Sequence, residues 1–131
     1  MSVLMKTYIS EMKGMLLGEE LMDILDNGKI RTEFQPIVSL KDGSVLGYEA
    51  LSRGPQHSPL EKPGVLFDVA RVYGKLWELE FLCRFSALES LSGKACDFHI
   101  FLNVDPHIIH DEKFRKGFTR EFPVSYTHLR A

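Results

Sequence analysis

Glu49 and Asn103 are the side chains of this sequence whose type and placement best suit metal chemistry. Each falls near the end of a segment patterned as a strand. A carboxylate and an amide carbonyl are both hard oxygen donors, suited to Mg²⁺ or Mn²⁺. Such an ion can activate water and neutralise charge during phosphodiester hydrolysis. Arg53, close behind Glu49, carries a planar fork able to hold a phosphate. Gln35 is a neutral polar group in an otherwise apolar segment and could read a nucleobase or a ribose. Each has a plainer account. A Glu at a strand end is usually solvated, and an Asn before a loop is usually a turn former. Arg53 could simply pair with a loop carboxylate, and Gln35 could satisfy backbone groups at a bulge. Spacing alone does not choose between these accounts.

The elements that must position these residues follow from local pattern. Glu19 to Leu25 forms a helix end with Leu21, Ile24 and Leu25 on one face, stopped by Asn27-Gly28. Ile30 to Leu40 patterns as a strand, with Pro36 marking an edge, a bulge or a strand end. Asp42-Gly43 is a turn signal, and Val45 to Leu51 is the second strand. So short a turn makes the pair antiparallel. Leu51 to Pro63 is too rich in Gly and Pro to be regular. Val65 to Tyr73 is helical and ends at Gly74. Trp77 to Leu91 is a second helix, with Phe81, Leu82, Phe85 and Leu88 at helical spacing. Phe98 to Val104 is a nearly continuous apolar strand, as expected for a parallel strand buried on both faces. Asp105-Pro106 ends it and suits the start of the next helix, with Asp105 as cap and Pro106 in the first position. The order helix, hairpin, helix pair, strand, helix points to an α/β architecture. So few strands close no barrel, and the chain is expected to stop partway through a larger fold.

Composition narrows the classes. The 131 residues are 44% apolar and 26% charged, ordinary for a globular protein, and the net charge of −2 gives no general pull toward a nucleic-acid polymer. No apolar run is long enough for a membrane span, and Met15-Leu16-Leu17 is too short for a signal-peptide core. Cys83 and Cys96 form no CxxC and are expected as buried free thiols, which fits a reducing, cytoplasmic location.

Phe34-Gln35-Pro36-Ile37-Val38, followed by Gly47-Tyr48-Glu49-Ala50-Leu51-Ser52-Arg53, resembles the opening of the EAL family. Phe101-Leu102-Asn103-Val104-Asp105-Pro106 resembles the family's third-strand segment, with Asp105 where Ser or Thr is common. The resemblance runs from Glu19 to Phe122. It implies a (β/α)₈ TIM-type barrel with one antiparallel strand, of which this chain would be the N-terminal part. It also implies hydrolysis of cyclic di-GMP to linear pGpG with Mg²⁺ or Mn²⁺. By position, Glu49 and Asn103 would be metal ligands. Arg53 would contact a substrate phosphate, Gln35 would line the pocket, and Leu51 would pack beside the nucleotide. The family's further metal-binding Glu, its Asp-Asp pair and its water-orienting Lys have no counterpart here. A full barrel takes roughly 250 residues. The expected partners are cyclic di-GMP and, for the full domain, a second copy. The competing expectation is a degenerate module that binds cyclic di-GMP as a sensor without cutting it.

Three stretches are therefore expected: a helical lead-in over 1–18, the first half of an EAL domain over 19–124, and a tail over 125–131. The tail, Ser125 to Ala131, resembles translated sequencing-adapter DNA, so His128 is not counted as a ligand. The plainer alternative is an ordinary loop entering the next strand. His107 and His110 are expected as solvated surface residues.

Overall fold

The computed structural model describes residues 2–94, 97–113 and 115–116, with the backbone alone of 127–130. Helix α1, Val3–Asn27, opens on Ser2, whose side chain accepts from the Met5 N–H. It closes on Gly28 in the left-handed region at φ 62°, whose N–H bonds the Ile24 carbonyl. Strands β1 (Arg31–Val38) and β2 (Val45–Arg53) form the expected antiparallel hairpin. Gly43 supplies the positive φ of the turn, and the Asp42 carboxylate accepts from the Ser44 N–H and hydroxyl. The irregularity of β1 falls between Ile37 and Val38, next to Pro36. Pro36 is tolerated because β1 is the sheet's edge strand.

An irregular loop leads to α2 (Pro63–Val72), which has Pro63 at its first turn and ends before Gly74, at φ 66°. Helix α3 (Leu76–Glu89) returns to β3 (His99–Asn103), which lies parallel to β2. Asp105 then caps a single 3-10 turn, Pro106–Ile108, through the His107 N–H, where the sequence suggested a helix. The sheet order is β1-β2-β3-β4, with β4 formed by Thr127–Arg130 parallel to β3. β3 therefore has a neighbour on both sides. The expected tail is described only as this backbone ladder, and residues 125, 126 and 131 lie outside the described residues.

The helices cover one face of the sheet. Leu21, Ile24, Leu60, Leu66, Ala70, Leu79 and Cys83 join α1, α2, α3 and the loop in the main core. Ala50, Ile100 and Leu102 pack against Ala87 of α3 in a second one. Two expectations need correction. The buried stripe of α3 is Leu79, Glu80, Cys83, Arg84 and Ala87, while Phe85 is exposed. Four aromatic and aliphatic residues at helical spacing mark a face, but a helix lying between a sheet and two other helices buries a different one. β3 is not buried on both faces either. Ile100 and Leu102 are buried, whereas His99 and Asn103 on the other face are exposed. Among the described residues no helix is long and apolar enough to cross a membrane.

Candidate functional site

Side chains alternate across a strand, so residues two apart share a face. In β2 this sets Ala50 against the helices and turns Glu49, Leu51 and Arg53 to the other, inner face. The strand runs on to Arg53, so Glu49 sits at its centre rather than near its end, and Arg53 is its last residue. Cross-strand register extends the set. Gln35 lies directly opposite Glu49 on β1. Glu49 is aligned with Phe101 of β3, which places Asn103 two residues further along the same face. The five sequence candidates, Gln35, Glu49, Leu51, Arg53 and Asn103, thus share one face of three adjacent strands.

The two candidate metal ligands touch. Asn103 Nδ2 donates to Glu49 Oε1 at 2.6 Å. That contact uses the amide nitrogen and one carboxylate oxygen. A half-turn of the amide would bring its oxygen to the same place, giving two hard donors side by side on the inner face. The pair fits a divalent ion in donor type. It is an incomplete set, since among the described residues no three His, Cys, Asp or Glu side chains gather to hold a metal.

Arg53 makes a salt bridge to Glu33 Oε2 at 3.3 Å, and Glu33 also lies 3.9 Å from Arg31. The Glu33 carboxylate is about half exposed at 53%, so this pair is weakly held and an incoming phosphate could displace the carboxylate. Arg31 is tied down separately by Glu61 at 3.1 Å and by the Gly54 carbonyl. Toward the C-terminal ends of β2 and β3 a cleft of about 280 Å³ lies between the sheet and the helices, lined by Ala50, Arg53, Cys83, Arg84, Leu102 and Asp105, among others. Gln35 and Glu49 are not in its wall; they lie on the open inner face. Gly47 keeps β2 and β3 close at the N-terminal end of their ladder, because a Cβ there would stand 2.5 Å from the His99 carbonyl oxygen and 2.8 Å from the Phe101 ring.

Sequence reasoning missed the polar network behind this face. Glu80 and Arg84, one helical turn apart on α3, are 2% and 3% exposed and form an ion pair at 2.9 Å. The Arg84 guanidinium lies over the Trp77 ring at 6.0 Å. The other Glu80 oxygen accepts the Asp105 N–H at 2.8 Å, which ties α3 to the loop leaving Asn103. Burial raises the Glu80 carboxyl above its ordinary value and lowers the Arg84 guanidinium, against the pull of their mutual attraction. The Asp105 carboxylate accepts from the His107 N–H and from Arg71 at 2.9 Å. Its pKa lies below the ordinary value, because these hydrogen bonds and the Arg71 charge together outweigh burial, the largest single influence, which pushes upward. The available signal was a Glu and an Arg at i and i+4 among Leu79, Leu82 and Cys83, a pattern that usually marks a solvated pair. Cys83 is a free buried thiol, pushed up to about 12 by burial, whereas Cys96 lies outside the described residues. His107 is largely exposed with its ring against Asp105, and His110 is exposed.

Residues 18–129 match the family model of the EAL domain. The probable cyclic di-GMP phosphodiesterase PdeB of Escherichia coli (strain K12) is 31% identical over 97 residues, covering 71% of this chain and 19% of that protein. Among solved structures, the PaMucR phosphodiesterase in complex with c-di-GMP superposes with a TM-score of 0.62 at 26% identity, over 88% of this chain and 51% of that one. The EAL domain of FimX from Xanthomonas citri, also in complex with c-di-GMP, gives a TM-score of 0.64 at 16% identity, over 86% of this chain and 46% of that one. At that identity the second likeness concerns the fold alone. The chain spans about half the length of these structures and a fifth of the curated relative.

Proposed function

The chain belongs to the EAL domain family, with the α/β architecture of part of a TIM-type barrel, and from that premise we propose that the complete barrel containing it hydrolyses cyclic di-GMP to linear pGpG. The observation that carries this is the meeting of Glu49 and Asn103, 2.6 Å apart across adjacent parallel strands on the face that also holds Gln35, Leu51 and Arg53. Arg53 and Asn103 are the last residues of β2 and β3, the strand ends at which barrel enzymes place their chemistry.

The roles follow from position and side-chain chemistry. Glu49 and Asn103 would hold Mg²⁺ or Mn²⁺, which when bound supplies charge neutralisation at the phosphodiester and an activated water. Arg53 exchanges its Glu33 partner for a substrate phosphate. This exchange costs little, because the Glu33 pair is solvent-screened. Gln35, opposite Glu49 in the register, offers both a donor and an acceptor to a guanine or ribose edge. Leu51, between Glu49 and Arg53 on the same face, gives the nucleotide an apolar wall. Glu80, through the Asp105 N–H, fixes the backbone that follows Asn103 and so the direction in which Asn103 projects. A cytoplasmic location belongs to the same proposal, and the free, buried Cys83 supports it.

The test is a turnover assay on the complete barrel with cyclic di-GMP and Mn²⁺, with pGpG followed by ion-exchange chromatography and binding followed by calorimetry. Metal-dependent appearance of pGpG is the expected result. Tight binding without cleavage in either metal would favour a nucleotide sensor, and absence of both would overturn the proposal.

A further inference from the structure

Helix α1 carries two apolar stripes on opposite sides. Leu17, Leu21, Ile24 and Leu25 belong to the protein's own core. Met5, Tyr8, Met12, Met15 and Met22 do not; all five are exposed, Met15 at 62%. Their intervals are three, four, three and seven residues. With Glu19 filling the remaining place, they form alternating a and d positions of a heptad seam from Met5 to Met22. A helix lying on a globular body shows a broad stripe with a period of about 3.6 residues, whereas a narrow seam with a period of about 3.5 is what two supercoiled helices select. Leu16 and the half-buried Ile9 widen the seam along one flank.

We propose that this seam pairs with the same seam of a second copy of the chain, in antiparallel orientation. Charge sets the direction. From Val3 to Gly14 the helix carries Lys6, Glu11 and Lys13, while from Met15 to Asn27 it carries Glu19, Glu20, Asp23 and Asp26 and no cation. A parallel pair would set Glu19 against Glu19 in the seam and crowd the acidic ends together. An antiparallel pair, centred between Met12 and Met15, sets Met5 against Met22, Met12 against Met15, and Tyr8 against Glu19. The Tyr8 hydroxyl can then donate to the Glu19 carboxylate. The acidic end of each helix also meets the positive N-terminal end of the other. The protein provides room for this partner: a shallow hollow of about 530 Å³ borders the C-terminal half of the seam, lined by Met15, Glu19, Met22, Asp26 and Tyr73, among others. An antiparallel partner would lay its Met5 and Tyr8 there. The pairing rests on α1 alone and is independent of the nucleotide proposed above.

Light scattering coupled to size exclusion, on the chain as it stands, is expected to give the mass of two copies. Met12→Lys with Met15→Lys should reduce it to one copy, with the circular dichroism of the folded protein retained, because both side chains point to solvent. If that variant loses its fold, Met5→Lys with Tyr8→Lys, nearer the helix start, makes the same measurement. Direction is read by mixing Met12→Cys chains with Met15→Cys chains under mild oxidation. Disulfide dimers joining one variant to the other are expected, and few are expected from either alone. A single-copy mass for the unsubstituted chain, association that survives the double-lysine change, or self-cross-linking without mixed dimers would overturn the proposal.

Discussion

At the scale of single residues, the site rests on Glu49, Asn103 and Arg53, and their environments predict different failures. Glu49→Ala or Asn103→Ala in the complete barrel removes one of two touching oxygen-bearing groups on the inner face. If they hold the ion, the loss amounts to several kcal/mol of charge stabilisation, so turnover should fall by at least about 100-fold. An unchanged thermal midpoint would accompany it, since Asn103 is exposed and Glu49 only half-buried. Steady-state kinetics beside a melting curve checks both; near-normal turnover rejects the ligand role. Arg53→Ala should act mainly on substrate affinity, because its present partner is an exposed carboxylate. A fall in kcat with unaltered KM would remove it from phosphate binding. These residues were legible as candidates from their side-chain chemistry near strand ends and from the resemblance carried by Phe34 to Val38, Gly47 to Arg53 and Phe101 to Pro106. The pairing of Gln35 with Glu49 was not legible, because the irregularity between Ile37 and Val38 shifts the register set by the Asp42-Gly43 turn by one residue. The alignment of Glu49 with Phe101, which brings in Asn103, was not legible from spacing, because a parallel register is set by how the intervening helices pack. Glu80 and Arg84 were missed for a related reason. Only the fold shows that a charged pair one helical turn apart lies between a helix and a loop instead of in water.

At the scale of elements, two contacts hold the site in shape. Gly47→Ala would push a Cβ to 2.5 Å from the His99 carbonyl oxygen, a backbone atom that cannot rotate away. Such overpacking typically costs about 1–3 kcal/mol. The strain would also separate β2 from β3 close to where Glu49 meets Asn103. A lower urea midpoint in the variant is expected, and an unchanged one would show that the strands yield freely. Asp105 is the second contact. Its carboxylate titrates below the ordinary value in the folded chain, so its stabilisation is fully present above the unfolded value of about 3.9 and is lost as pH falls through the folded one. Asp105→Asn keeps a capping side chain but removes the charge facing Arg71. The variant should be less stable than the parent at neutral pH, and the gap should narrow as pH falls below the unfolded value of about 3.9 and close only below the lowered folded one. Urea unfolding at neutral pH and in acid decides; a gap that persists in acid would mean that hydrogen bonding, not charge, is what Asp105 contributes. The helix ends, the hairpin turn and the Asp105 cap were readable because Gly, Pro and Asp act locally. The buried face of α3 was not, because it depends on three neighbours that no local pattern names.

At the scale of the whole molecule, the decisive feature is that one face of the sheet is covered and the other is open. The helices and loop bury Leu21, Ile24, Leu60, Leu66 and Leu79 completely, which gives the covered side a core of its own. On the open side lie the candidate ligands, with one carboxylate and one amide in contact and no third metal-binding side chain gathered with them among the described residues. Mg²⁺ demands near-octahedral geometry and surrenders its water reluctantly, so two ligands hold it weakly. Without a held ion there is neither an activated water nor charge neutralisation at the phosphodiester. The 131-residue chain by itself is therefore predicted to show no measurable hydrolysis of cyclic di-GMP in Mg²⁺ or Mn²⁺. Its residual property would be weak, Arg53-dependent attraction for the dinucleotide's phosphates, strongest at low salt because the group is partly exposed. Incubation of the purified chain with cyclic di-GMP and each metal, with chromatographic detection of pGpG, checks the first statement. Calorimetric titration at low and high salt, with and without Arg53→Ala, checks the second. Metal-dependent turnover by the isolated chain would show that Glu49 and Asn103 suffice, or that a second copy completes the ligand set, and would overturn the assignment of the remaining ligands to further parts of the barrel.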